Sequence, residues 1–382
     1  MMNLTSLQVT LLIGKFIPLP APPPLMEALQ TIDITQSESS GFQISFLAQR
    51  GPGYSPDYPL LISQLLQPGN RVIIIVTLNV IPRVLMDGII THQQFAPGNN
   101  GPATLTVTGE DISVAMNMSE VSIDYPNLGH AAIATLVLEK YAGLGIEPII
   151  IPPLTGSIPD SEEFVLTQRG TDRSYLQSLA AANDYIFYVR PGLLPGQNIA
   201  YWGPITRIGL PQKALTVDAG PATNVESISF SYDGLAPVQV YGAVSDEETE
   251  QVIPFVTLTS SRLPPLSSLP PLIFNQPFVR KQELAYEGSS FLEAEALAQA
   301  ITDQSLDSVV TANGTLDVLR YGDILMAPGL VGVRGVGFSY DGYYVVKQVS
   351  HQISHGKYTQ SFNLSREGLG STTPLVSTIG VW

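Results

Sequence analysis

The 382-residue chain contains no cysteine. That excludes a disulfide framework, a thiolate metal site and a cysteine nucleophile, so stability must come from burial and subunit contact. Positive charge is scarce too: 18 Lys and Arg stand against 33 Asp and Glu, a formal net charge of −15. The basic footprint of a nucleic-acid or anionic-membrane binder is missing, and no nucleic-acid-specific binding is expected. Charged residues make up only 13% of the chain against 44% apolar. A monomer of this size needs a more charged surface to stay soluble, which points to a surface covered by partners. Long apolar runs are absent as well. The longest, Val72 to Ile81, covers ten residues including Thr77 and Asn79, where a membrane span needs about 20. It reads as one buried strand. The first 49 residues hold a single basic residue, Lys15, with Pro18, Pro20, Pro22, Pro23 and Pro24 close behind. A secretory signal has a different pattern, so folding and assembly in a cytoplasm are expected.

What the chain does have is turns and short strands. With Gly 33 and Pro 31 it is turn-rich without being low in complexity. Alternating or β-branched runs broken by Gly, Pro or Asn dominate both ends, among them 31–35, 43–47, 88–92 and 104–108. In the middle the period changes. Ile133, Leu136, Val137 and Tyr141 fall at helical spacing, which predicts a helix over 130–142. A second helix starts at Thr171 or Asp172 with Tyr175, Leu176, Leu179 and Ala180 on one face, followed by a strand over 185–189. Further on, strands are expected over 225–232 and 237–244. A proline-rich stretch then contains one helix, started by a capping box at Ser290 and Glu293 and running to about Thr302.

One spacing repeats. Gly69 is 18 residues before Asp87, and Gly322 is 19 before Asp341; Thr104 and Tyr358 each follow 17 residues after those acids. Asp87-Gly88 and Asp341-Gly342 both suit a tight hairpin turn, so each copy reads as a strand, a hairpin and a return strand. Gly69, Asp87, Gly88, Gly322, Asp341 and Gly342 are therefore the expected structural turns. The fold expected is mainly β with an α+β insertion: two tube-like antiparallel β-barrel domains plus a small α/β domain. The first barrel would take 1–115 and the α/β insertion 116–215. The second barrel would take 216–245 and 315–382, with the proline-rich excursion at 246–314.

Residues for chemistry are hard to assemble from this sequence. Of four histidines, His351 and His355 alone are close, and at this spacing on one face of a strand they would resemble two metal ligands. The simpler reading is the polar outer face of a hairpin. No serine sits in a Gly-x-Ser-x-Gly setting. Gly332–Gly335 and Gly143–Gly145 lack the Lys and Ser/Thr of a phosphate-binding loop and read as turns. The acids Asp246, Glu247, Glu248 and Glu250, like Asp160, Glu162 and Glu163, read as solvated loops. Tyr201-Trp202 beside Gly203-Pro204 reads as a core anchor for a loop rather than a stacking platform. No catalytic residue, cofactor or metal site is expected.

Four stretches, taken in order, carry a resemblance: Thr104–Asp111, Gln168–Val189, Glu293–Ala300 and Tyr343–Arg366. Together they resemble the baseplate hub proteins of contractile tails, namely the phage late control protein D family and the hub portion of VgrG-like proteins of contractile injection systems. The resemblance implies a homotrimeric ring, two barrels per chain, acting as a structural adaptor between a trimeric spike and a hexameric inner tail tube. Its partners would be itself, the spike, the tube protein and other baseplate proteins of a phage tail or injection particle. VgrG-like chains continue into an OB-fold and a β-helical spike; this sequence stops at Trp382, so the expected spike is a separate protein. The competing readings are a β-rich carbohydrate- or cell-wall-processing enzyme and a monomeric extracellular binding module.

Overall fold

The computed structural model describes residues 7–15, 17–50, 57–98, 102–153, 165–245, 251–275, 277–285 and 291–373. The chain forms two compact units. The first lies within Met1–Pro152, Gly156–Pro204 and the hairpin tip Ser350–Gln360; the second lies within 153–155, 205–349 and 361–382. The fold is mainly β, with helices concentrated in inserted segments. Among the described residues no helix is long and apolar enough to cross a membrane.

The first unit begins with β1 (Leu7–Gly14), β2 (Leu19–Pro20), α1 (Pro23–Glu27), β3 (Leu29–Gln36), β4 (Gly41–Ala48) and α2 (Pro59–Ile62). The meander β5 (Arg71–Leu78), β6 (Ile81–Ala96) and β7 (Ala103–Asp111) follows. These strands pair antiparallel in the order β3-β4-β7-β6-β5-β1-β2. Period-two burial makes the sheet one-faced: Phe42, Ile44, Phe46 and Ala48 of β4 and Leu105 and Val107 of β7 are all buried.

The expected turn at Asp87-Gly88 is not there. Both residues lie inside β6, Asp87 opposite Ile73 and Gly88 opposite Val72. The chain reverses instead at Asn79 and Val80, with φ of 50° and 73°, so the apolar run 72–81 is a strand plus its turn. Gly88 is needed for a different reason. A Cβ there would lie 2.2 Å from the Glu110 carbonyl oxygen and 2.9 Å from the Phe42 ring. The strands approach too closely for a side chain.

After β7 the chain leaves the sheet to build a helix-bearing insertion. It comprises β8 (Glu120–Tyr125), α3 (His130–Glu139), β9 (Ile146–Ile150), β10 (Leu166–Thr171), α4 (Asp172–Ala182), β11 (Ile186–Pro191) and β12 (Asn198–Gly203). β8 pairs with β10, while β12 pairs antiparallel with β11 and parallel with β9. Thr171 caps α4 by accepting from Ser174 N at 3.3 Å. α3 stops three residues before the expected Ala142, and it buries Ile133, Ala134, Val137 and Leu138 while Leu136 is exposed. These helices and strands share their own core, with Trp202, Leu176 and Phe187 at its centre.

The second unit holds β13 (Gln212–Thr216), β14 (Ser227–Tyr232), β15 (Val238–Ser245), β16 (Val252–Val256), α5 (Pro271–Phe274), β17 (Arg280–Leu284), α6 (Phe291–Leu306), β18 (Val310–Asp317) and α7 (Val318–Tyr321). The meander β19 (Gly329–Arg334), β20 (Gly342–Ser354) and β21 (Lys357–Arg366) ends it, apart from the tip Ser350–Gln360, which belongs to the first unit. Here the order is β14-β18-β21-β20-β19-β13. β15 pairs with β16 and β17 in a small sheet that packs Val238, Val240, Val244 and Phe255 against Ala294 and Ala298 of α6. Helix α6 runs four residues past the expected Thr302, and Ser290 of the expected capping box lies outside the described residues. Gly69, Gly322 and Gly342 have φ of +91°, +73° and +121°. Asp341-Gly342 is no two-residue turn: Gly342 opens β20 after a loop over 335–341, in which the Asp341 carboxylate accepts from Val336 N at 2.8 Å.

Candidate functional site

The polar groups that the fold buries are the strongest candidates, because burying a charge is costly unless it is held. In the first unit Arg71 and Asp87 form a two-point ion pair, Nε–Oδ1 and Nη2–Oδ2 both at 2.7 Å, with the carboxylate fully buried. Asn198 Nδ2 donates to the same carboxylate at 2.9 Å. Arg71 Nη2 also donates to the carbonyls of Leu144 and Gly196, at 3.0 and 3.3 Å. These carbonyls converge because Gly145, at φ +77°, sits where a Cβ would be 2.0 Å from Gly196 O. At the end of β7, Glu110 accepts from Arg173 Nη1 at 2.7 Å. Next to it, Asp111 accepts from Ser113 N and Ser40 N, and burial raises its carboxyl pKa.

Within the insertion, Asp172 accepts from Tyr141 Oη at 2.8 Å, Gln168 Nε2 at 2.6 Å and Lys140 Nζ at 3.3 Å, while Tyr125 Oη donates to Gln168 at 2.7 Å. Burial, then the bond to Asp172, pushes the Tyr141 phenol up. A carboxylate so engaged, beside phenols that stay protonated, is a structural knot rather than an acid-base pair.

The second unit has a larger knot. Arg207 bridges Glu367 at 2.8 Å and Asp307 at 3.2 Å; Arg262 clamps Asp307 at 3.2 and 2.8 Å. Glu367 Oε1 also accepts from the backbone of Leu266 and Ser267. Arg366, fully buried, stacks over Tyr344 with 4.4 Å to the ring centre and donates to the carbonyls of Asp341 and Ser339.

The histidines separate. His92 is exposed on β6, His130 opens α3 2.7 Å from Asn183, and His355 is exposed at the turn. His351 is not on a polar outer face: it is buried, its Nδ1 2.7 Å from Tyr358 Oη and 3.1 Å from Gln360 Nε2. Burial lowers its pKa to about 3, so the ring is neutral. His351 and His355 share no face, and among the described residues no three His, Asp or Glu side chains group as metal ligands. Trp202 is fully buried on a strand, its Nε1 donating to Leu176 O at 3.2 Å and its ring edge-on to Tyr185. It anchors a core. Asp160, Glu162, Glu163 and the acids at 246–250 lie outside the described residues.

Sequence reasoning missed every ion pair named above. Arg71 and Asp87 are 16 residues apart and meet through a register that shifts at Ile74/Ile75; Arg207 and Glu367 are 160 apart. The surface carries many exposed apolar side chains, including Leu235, Phe274 and Phe278 at 70%, 61% and 72% exposure. They surround a brace in which Asn275 accepts from Tyr232 Oη and donates to Gly234 O, both at 2.8 Å.

No protein-family model and no curated protein matches the chain. Solved structures do match in fold. The tail protein from Neisseria meningitidis MC58 aligns with a TM-score of 0.63 at 12% identity, covering 95% of this chain and 98% of that one. The 43 kDa tail protein of prophage MuSo2 from Shewanella oneidensis gives 0.61 at 13%, covering 95% and 99%. An E. coli component of the type VI secretion system, described as structurally similar to the T4 bacteriophage tail proteins gp27 and gp5, gives 0.52 at 12%, covering 92% and 75%.

Proposed function

We propose that this chain is a structural baseplate hub subunit of a phage tail or contractile injection particle, with no chemistry of its own. In this reading it assembles in the cytoplasm as a homotrimer and joins a trimeric spike to a hexameric inner tube, with other baseplate proteins around it. The observation that carries the reading is the matching order of two six-strand runs, β3-β4-β7-β6-β5-β1 and β14-β18-β21-β20-β19-β13. Three chains with two similar sheets each offer six similar edges, which lets a three-fold object meet a six-fold ring. The fold shared with tail proteins, the low share of charged residues and the exposed apolar side chains support the same reading.

The test is the mass of the purified full chain in solution, followed by mixing with a tube protein and a spike protein encoded beside it. A trimer that binds both is expected. A stable monomer that binds neither overturns the proposal, as does hydrolysis of a cell-wall polymer that disappears when one carboxylate is replaced.

A further inference from the structure

Three residues of the first unit stand in one row across the meander. Arg71 of β5 is directly opposite Ile89 of β6, and Ile89 is directly opposite Glu110 of β7. Side chains opposite one another share a face, so the row presents a cation, an apolar group and an anion side by side. Each one reaches the insertion. Arg71 donates to the carbonyls of Leu144 and Gly196, Ile89 packs against the insertion core, and Glu110 accepts from Arg173 of α4. Two residues before Ile89, Asp87 holds the Arg71 guanidinium at two points, Nε and Nη2, and accepts from Asn198. Among the described hydrophobic residues of β1 to β7, Ile89 alone packs against that core.

We infer that the helix-bearing insertion is a seated body, keyed in orientation by the row Arg71–Ile89–Glu110 and latched by Asp87, which can unseat without unfolding the sheet beneath it. The insertion has its own core, shared with Ile112 and Met116 of the turn after β7, so leaving the seat keeps that core assembled. The polarity of the row does the keying. Turned end for end, the insertion would bring Arg173 to Arg71 and the carbonyls of Leu144 and Gly196 to Glu110, and both meetings repel. This inference goes beyond the hub reading and does not depend on it.

Hydrogen exchange of the full chain, read peptide by peptide, tests it. Asp87→Asn is expected to speed exchange in 144–150 and 196–203 by roughly tenfold or more, as loss of a buried pair implies, while 41–48 and 103–108 stay protected. Should Asp87→Asn fail to fold, the half-exposed pair supplies the second arm. Glu110→Arg and Arg173→Glu should each speed exchange in the same insertion peptides by roughly fivefold, the scale of a partly exposed pair, and the double swap should restore protection. Sheet and insertion losing protection together would overturn the inference. So would insertion exchange that no variant changes, or a double swap as loose as the single variants.

Discussion

The two six-strand runs β3-β4-β7-β6-β5-β1 and β14-β18-β21-β20-β19-β13 have one strand order but reach it by different routes. In the first unit β3 and β4 are a continuous hairpin; in the second, their counterparts β14 and β18 are separated by residues 233–309, which form a small sheet and the helix α6. β1 is antiparallel to β5, whereas its counterpart β13 is parallel to β19. The tight turn of the meander moves as well: it lies between the first and second strands at Asn79-Val80 in one, and between the second and third at His355-Gly356 in the other. Such sheets are defined by which faces pack, and a turn can shift along the meander as long as the same alternate residues stay inside. One detail is kept despite these shifts. A phenylalanine lies over a glycine too crowded for a Cβ, Phe42 over Gly109 and Phe362 over Gly314.

The largest expected contrast between the units is in an acid near the end of each third strand, Glu110 of β7 and Glu367 just after β21. Glu367 is buried and holds Arg207 and two backbone N–H groups, while the Glu110 side chain is 48% exposed. Glu367→Ala should cost about 3–5 kcal/mol because it strands a buried guanidinium. Glu110→Ala removes a half-exposed carboxylate but leaves the buried Arg173 guanidinium without it, at an expected cost of about 1–3 kcal/mol. Denaturation midpoints measured side by side check this, and equal shifts would mean that the two strand ends are not differently loaded.

The glycines sharpen the same comparison. Gly88→Val drives a side chain into the Glu110 carbonyl and the Phe42 ring, at an expected cost of about 3 kcal/mol. Gly342→Val meets the Arg366 guanidinium at 3.1 Å, a milder approach than the 2.2 Å at Gly88, and adds the positive-φ penalty, about 1–2 kcal/mol in all. If thermal melting ranks the two variants the other way, β6 does not pack at Gly88 as described.

Between these and the smallest effect stands a pH dependence. His351 is neutral when folded, its pKa lowered by burial to about 3 from the ordinary histidine value of about 6.5. The unfolded chain therefore binds the proton first. Stability from this residue is complete above about pH 6.5 and is lost as pH falls toward 3, by at most about 1.4 kcal/mol per pH unit. His351→Gln should flatten the fall in melting temperature between pH 7 and pH 5. A parallel fall in both proteins would assign the acid sensitivity elsewhere.

The smallest expected effect is a gain. Val80 and Gly356 occupy the second turn position in their hairpins with φ of 73° and 72°, and Val80 is 83% exposed. Val80→Gly relieves a β-branched residue in left-handed backbone and should stabilise the chain by about 1 kcal/mol. A lower melting temperature would show that Val80 makes contacts outweighing its strain.

Much of this architecture was legible in the residues alone. Period-two runs marked the strands, Thr171 marked the start of α4, and the spacing from Gly69 and from Gly322 marked two meanders, because these signals are local and depend on backbone geometry within a few residues. Placing the hairpin at Asp87-Gly88 failed for a physical reason. Glycine serves both a turn and a close strand approach, and only the neighbouring strand with Phe42 and Glu110 distinguishes the two.

What the sequence determined by itself, then, was composition, period and repeat: a cysteine-free, acidic, mainly β chain with a helical insertion and an undercharged surface. Tertiary structure alone decided which charges became buried pairs, that His351 went inside while His355 stayed out, and that Arg71, Ile89 and Glu110 line up beneath the insertion. Those outcomes depend on strand register and on residues 16 to 160 positions apart meeting in space. No local pattern encodes such meetings, because the free energy that selects them arises only once the intervening chain has packed.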